Sequence, residues 1–283
     1  MNGLFRINEK KGICKNYRFD PQDNTGIASN NLRVVYESSD GTIWVGFYGA
    51  GLNRMDKDTE RFTLYTPNPS DSASLSFNVV FSLHEDREKF IWVGTYGGGL
   101  NRLDPSSGNF TAYVHDPNNP HSISNNRIRC IFEDLQGTLW VGTDHGLNKM
   151  GKETGRFTAY TTKDGLPNNV IYSILPDQHG NFWLTTNRGL SKFNPVDLSF
   201  RNYDEEDGLQ SNEFNTGAYH LSESGEMFFG GINGFNIFHP DSIRENVFIP
   251  PVLITSFKLF NKPVKIGQDS PLKKSITETK EII

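Results

Sequence analysis

The chain has 283 residues, 35% of them hydrophobic and 12% aromatic, and its 27 glycines make about a tenth of all positions against the usual roughly 7%, a mix suited to short strands joined by tight turns. The formal charge, 28 basic minus 33 acidic residues, is -5 with the signs interspersed, which leaves no footprint for a polyanion and excludes nucleic acid as the expected partner. No run of about 18 apolar residues occurs, and the opening MNGLFRINEKKG lacks the apolar core and cleavage site of a signal peptide, so as given the sequence is expected neither to span nor to target a membrane. Cys14 and Cys130 allow at most one disulfide and lack the spacing of a metal knuckle or redox pair; they read as two isolated small apolar side chains, with no metal and no cofactor expected.

In chain order, GLFRIN and KNYRFD come first and read as the third and fourth strands of a unit whose first two are absent. Five units follow, at about 28–67, 76–115, 124–162, 167–204 and 212–243. In the third of them NRIRCIFED, GTLWVGT, GLNKM and GRFTAYT make four short β runs, each ended by Gly, Asn or Asp. Trp44, Trp92, Trp140 and Trp183 lie 48, 48 and 43 residues apart in the sentences GTIWVG, KFIWVG, GTLWVG and GNFWLT, and Phe228 takes the place in GEMFFG. A Gly-Leu or Gly-Phe pair follows each: Gly51-Leu52, Gly99-Leu100, Gly146-Leu147, Gly189-Leu190 and Gly234-Phe235, with Gly3-Leu4 the same step in the half unit. Four strands in units of roughly 40–50 residues spell a propeller blade. The prediction is an all-β chain: a β-propeller segment of about five full blades plus a half blade over 1–247, then the start of a β-sandwich over 248–283. After Asp241 the repeat stops, and Pro250-Pro251 introduces a β-rich run and a Lys- and Thr-rich tail, so the sequence is expected to be a segment of a longer protein.

The repeated pattern N-x-[VIL]-x-x-[VIL]-x-E-D-x-x-G-x-[IL]-W-V-G-T-x-x-G-G-L-N-R resembles the two-component regulator propeller repeat over residues 3–243, and the LIT-SF-LFN run over 248 to about 266 is similar to the start of the YYY domain that follows such propellers. The resemblance implies a periplasmic ectodomain of a hybrid two-component sensor, with two seven-bladed propellers and a YYY domain joined through a membrane helix to a histidine kinase and often a DNA-binding regulator. It implies an oligosaccharide ligand, relay through the YYY domain to the kinase of the parent chain, and no enzymatic activity for this segment; no kinase histidine lies in it. The stretch from Ile243 to Val252, stiffened by Pro250-Pro251, is the expected joint.

Catalytic patterns fail against the repeat register. The carboxylate pairs Glu85-Asp86 and Glu133-Asp134 suit glycoside hydrolysis by type, yet both occupy one position before a turn, where Asp bonds its own backbone. His84 falls where Tyr36 and Phe132 sit, on a first strand, and reads as core. The tryptophans, in identical register, read as packing between sheets rather than sugar platforms. Recurring Asn30, Asn78, Asn126 and Asn169 read as turn or cap residues. What varies on a fixed frame is the turn between strands two and three, with Tyr48, Tyr96, Asp144, His145, Asn187, Arg188 and Asn233 as the candidate ligand-binding set, because aromatic rings stack on sugars and Arg, Asn and Asp bond hydroxyls or carboxylates. Two rivals stand beside the sensor: a scaffold for protein partners or homodimerisation, and a propeller lyase or glycosidase. An arc of five and a half blades leaves a strand edge at each end, which predicts aggregation or dimerisation of the isolated segment.

Overall fold

Apolar runs cut by Gly, Asn and Asp form short strands along most of the chain, and no α-helix occurs among the described residues. The computed structural model describes residues 3–8, 10, 12–243, 256–272 and 274–276, and the chain divides into two units, Met1–Pro240 and Asp241–Ile283. In the first, β1 (Leu4–Asn8) and β2 (Ile13–Tyr17) form a hairpin. Next comes a blade of β3 (Leu32–Glu37), β4 (Ile43–Phe47), β5 (Leu52–Met55) and β6 (Phe62–Tyr65), followed by one of β7 (Val80–Glu85), β8 (Ile91–Thr95), β9 (Leu100–Leu103) and β10 (Phe110–Tyr113). The third blade holds β11 (Ile128–Glu133), β12 (Leu139–Thr143), β13 (Gly146–Met150) and β14 (Phe157–Tyr160), and the fourth β15 (Ile171–Pro176), β16 (Phe182–Thr186), β17 (Gly189–Asn194) and β18 (Ser199–Tyr203). The fifth has three strands, β19 (Phe214–Leu221), β20 (Met227–Gly231) and β21 (Gly234–Phe238). Each sheet is an antiparallel meander of sequential strands, as the repeat predicts. Where the pattern counts a fifth full unit, Pro240 opens a 3-10 turn over Pro240–Ser242 after β21, since proline fixes φ and has no N–H to give a ladder.

Burial follows position in the blade. All five residues of β8, β12 and β16 are buried, because a neighbouring blade covers each face of the second strand; hence IWVGT and LWVGT read as unbroken apolar runs. Trp44, Trp140 and Trp183 are 1% exposed, and Trp44 packs among Leu75, Val80 and Phe110 of the next blade, so the register argument for inter-sheet packing holds. Behind each Trp lies the tyrosine ending the fourth strand: Trp44 stacks on Tyr65 at 6.2 Å between centroids and Trp140 on Tyr160 at 6.1 Å. Tyr65 and Tyr113 in turn meet the edges of Phe110 and Phe157 one blade on, at 5.6 and 5.9 Å. The hairpin obeys the same rule: Leu4 pairs with Tyr17 as Leu52 pairs with Tyr65, and Tyr17 meets Phe62 edge-on at 5.6 Å. It is therefore the third and fourth strands of a blade.

Cys130 and Cys14 are both free; Cys130 is buried, which pushes its thiol up to about 12, whereas Cys14 is exposed and no part of a core. In the second unit, β22 (Lys258–Leu259) and β23 (Lys262–Pro263) pair across Phe260-Asn261, whose φ values of 47° and 65° suit a two-residue hairpin turn. Residues 244–255, which include all of the expected joint except Ile243, lie outside the described residues.

Candidate functional site

The first strands line the middle of the arc, and each carries a bulge at the same place. Register slips between Leu32 and Val34, Val80 and Ser82, Ile128 and Cys130, and Ile171 and Ser173. The residue left without a ladder partner is Arg33, Phe81, Arg129 and Tyr172 in turn. A bulge re-aims one side chain while its neighbours keep facing the core. In β19 the slip is wider, from Phe214 to Tyr219, and includes Thr216.

The turns between second and third strands arrive at the same end. Each is pinned to the segment leading into the next blade: Gly49 and Gly97 donate their backbone N–H groups to the carbonyls of Asn78 and Asn126, and Gly146 and Gly189 to those of Asn169 and Asn212. Tyr48 bridges to Val79 and Tyr96 to Arg127 in the following blade. The recurring asparagines hold this end together as turn residues: the side-chain oxygens of Asn30, Asn126 and Asn169 accept from the backbone N–H of Phe19, His115 and Thr162 at 3.0, 2.7 and 2.8 Å.

Bulge residues and turn residues meet at one end of the first strands, the mouth of the arc. Phe81 stacks on Tyr96 with centroids 4.7 Å apart, and Tyr48 lies 6.4 Å from Phe81. Arg33 covers the Phe81 ring at 4.4 Å, and Arg127 and Arg129 each approach Tyr96 at 4.9 Å. Arg129, its side chain 15% exposed, donates from Nε to Asp144 at 2.6 Å and from a terminal nitrogen to Thr216 at 3.1 Å. Arg127 reaches the other Asp144 oxygen at 3.5 Å, and the Tyr172 hydroxyl donates to Asn187 at 2.5 Å. Arg33, Phe81, Arg129 and Thr216 line a cavity of about 410 Å³, within the range of small-ligand sites. Burial works against the charge of Arg129, but the bond to Asp144 and its charge outweigh this and hold the guanidinium pKa up. Burial and then the like charge of Arg129 draw the pKa of Arg33 down. Burial raises that of Tyr172.

Of the residues expected from sequence, Tyr48, Tyr96, Asp144 and Asn187 thus join one cluster. His145, Arg188 and Asn233 are exposed on the same set of turns, and among the described residues their side chains make no hydrogen bond to it. Sequence reasoning missed Arg33, Phe81, Arg127, Arg129, Tyr172 and Thr216. The available signal was the variable position inside each first strand, flanked by apolar Leu32 and Val34 or Ile128 and Cys130, where chemistry changes from blade to blade while the flanks do not.

The carboxylate pairs have structural work. Asp134 accepts from the backbone N–H of Gln136 and Thr138 and from Trp140 Nε1 at 3.0, 2.8 and 2.8 Å; Asp86 and Asp177 accept from Trp92 and Trp183. Glu85 accepts from Ser39 N–H at 2.7 Å and Glu133 from Arg87 N–H at 3.2 Å, each tying its blade to the turn of the one before. His84 lies half-buried on β7, 3.9 Å from Glu133, and burial lowers its pKa.

Residues 74–97, 122–145 and 165–188 match the family model of the two component regulator propeller. One stretch in each of three blades thus matches the regulator-propeller repeat. Each matched stretch runs from the approach loop through the bulged first strand to the turn after the second, and together they include Phe81, Tyr96, Arg127, Arg129, Asp144, Tyr172 and Asn187 but not Arg33, Tyr48 or Thr216. The fold is similar to that of the extracellular domain of a hybrid two-component system of B. thetaiotaomicron, at 24% identity and a TM-score of 0.71 over 87% of this chain and 32% of that one. A second such domain from B. thetaiotaomicron matches at 19% identity and 0.64 over 93% and 43%, and virginiamycin B lyase of Staphylococcus aureus at 16% and 0.60 over 83% and 72%. These likenesses establish the propeller fold. A stretch of 73 residues is 38% identical to histidine kinase P4 of Formosa agariphila, covering 25% of this chain and 5% of the kinase. The chain therefore spans about a third of the first sensor ectodomain and a small fraction of the kinase.

Proposed function

We propose that this chain is the ligand-sensing part of an extracellular, periplasmic sensor domain, and that it takes a glycan-derived oligosaccharide at the mouth of the arc. One observation carries the reading: aromatic and hydrogen-bonding side chains from bulges and turns of different blades converge there, Phe81, Tyr96 and Tyr172 beside Arg129, Asp144 and Asn187. Sugar recognition needs apolar ring faces with a few fixed polar groups. The occupied mouth acts on the segment after residue 247, a YYY-like sandwich in this reading, and through it on a kinase of the parent chain. Binding transmits a signal only where it favours one arrangement of the two parts over another. The regulator-propeller repeats and the likeness to sensor ectodomains support this assignment.

A thermal-shift panel of oligosaccharides, with calorimetry on each that raises the melting temperature, tests it. The expected outcome is a ligand that stabilises the protein without being consumed and that binds Tyr96→Ala about tenfold or more weakly, a loss of roughly 1.4 kcal/mol or more. Cleavage of the sugar would move the reading to an enzyme, and a panel without any shift would favour the scaffold. The scaffold or dimer reading has its own support in the exposed apolar residues Phe235 and Ile237 at the end of the arc, 65% and 48% exposed.

A further inference from the structure

The arginines at the mouth are unequally provided for. Arg129 has Asp144 and Thr216, and Arg127 shares Asp144. Arg33, delivered to the same cavity by the bulge in β3, has among the described residues no ion pair and no side-chain hydrogen bond; its one contact of this kind is the face of Phe81. Its five N–H donors in a planar fork are thus held in place by the ring below while their acceptor sites stay unfilled. The charge that reaches it is that of Arg129, itself paired with Asp144, which Arg127 shares. One carboxylate, Asp144, thus answers two of the three guanidiniums, and the positive charge of Arg33 has no partner among the described residues. Tyr48, 56% exposed and beside Phe81, offers a ring face next to that charge.

We infer that the ligand is an acidic saccharide, whose carboxylate or sulfate ester is held by the Arg33 guanidinium while a sugar ring rests on Tyr48. Resting on the reading of the mouth as a saccharide site, this deepens it by naming the charge class. Two oxygens of a carboxylate or of a sulfate ester can accept two parallel N–H···O bonds from one guanidinium, stronger than neutral ones. Incoming negative charge also relieves the repulsion between Arg33 and Arg129, which an uncharged sugar would leave in place. Arg129, already neutralised by Asp144, acts as a fixed donor to hydroxyls.

Calorimetry on the full 283-residue chain tests the inference, with oligogalacturonides against their methyl esters, and sulfated chondroitin oligosaccharides against forms that are desulfated only, carboxyl-reduced only, and both. The expected result is that an acidic form binds at least tenfold more tightly than its neutral counterpart, with an affinity that falls as salt rises; loss on carboxyl reduction or on desulfation tells uronate from sulfate. Arg33→Gln should remove most of that preference and of the salt dependence, and Arg33→Lys should restore part of both. Arg33 is exposed and off the ladder, so the variant should keep the melting temperature of the parent. Equal binding of charged and neutral forms, or an acidic preference untouched by Arg33→Gln, would overturn the inference. A neutral sugar that binds and is lost in Tyr96→Ala would overturn it alone and leave the saccharide reading standing, whereas no binding by any member, acidic or neutral, would overturn both.

Discussion

In each of four blades a single tryptophan is matched by an acceptor six residues before it, Ser38 in the first blade and Asp86, Asp134 and Asp177 in the other three. The indole ring fills the wedge between sheets, which strands its N–H in the interior, and an unpaired buried donor costs about 1–3 kcal/mol. Asp134 removes that cost for Trp140 while capping the turn through two backbone N–H groups, and it is only 9% exposed itself. In the fifth unit Phe228 has no N–H and Ser222 stands at that place, while in the first blade Ser38 there still accepts from Trp44 Nε1 at 3.2 Å. Replacing Asp134→Ala leaves three donors without a partner and is expected to destabilise the protein by about 2–4 kcal/mol, read as a fall in the urea midpoint. Trp140→Phe together with Asp134→Ser, the fifth unit's pair, should lose clearly less than Asp134→Ala alone. If it loses as much, the hydrogen bond to the indole is not what the aspartate is there for.

Within a blade, the glycine that opens the third strand is fixed by a carbonyl across the sheet. Gly99 has φ +76°, and a Cβ there would run into the carbonyl oxygen of Tyr113 at the end of the fourth strand; Gly51, Gly146, Gly189 and Gly3 meet Tyr65, Tyr160, Tyr203 and Tyr17 in the same way. Gly49, two residues earlier in its turn, has φ +102° with nothing within 4 Å of where a Cβ would lie. Gly99→Ala should therefore cost more than about 2 kcal/mol and Gly49→Ala about 1, the first adding backbone collision to dihedral strain and the second paying strain alone. Comparable losses in thermal melts would show that strain, not the carbonyl, sets the requirement. This explains what the sequence could and could not say. Tryptophan, Gly-Leu and Asn recur because every blade must solve one packing problem, so the register, the half unit and the structural use of Glu-Asp pairs were legible. Arg33, Phe81, Arg129 and Tyr172 sit at a bulge that no ladder pairing constrains, so they vary and break no visible rule. Tyr48, Tyr96, Asp144 and Asn187 were found because the turn around them is constant. His145 and Arg188, chosen by the same logic, stand in that turn but outside the cluster.

At the scale of the molecule the arc has two unlike ends. The β1–β2 hairpin supplies third and fourth strands, so among the described residues the edge of β1 lacks a second strand and β21, a third strand, has no fourth. Positions that are core elsewhere are bared accordingly. Ile7 is 68% exposed where its counterpart Met55 is 7%, and Phe235 is 65% exposed where Leu100 is fully buried. Among the described residues no sheet joins one end to the other. Free ladder groups flanked by apolar side chains are a template for another strand, and the area bared is of the kind that drives association. The chain expressed alone should self-associate with rising concentration, seen as a concentration-dependent mass in sedimentation. The double substitution Phe235→Lys with Ile237→Lys, on the exposed face of β21, should lower that mass towards the monomer without moving the melting temperature by more than a few degrees, because both side chains are already in solvent. A mass unchanged by these charges would place the contact at the β1 end instead, where Ile7→Lys makes the complementary test. A chain that stays monomeric throughout would mean that the bared edges are not adhesive.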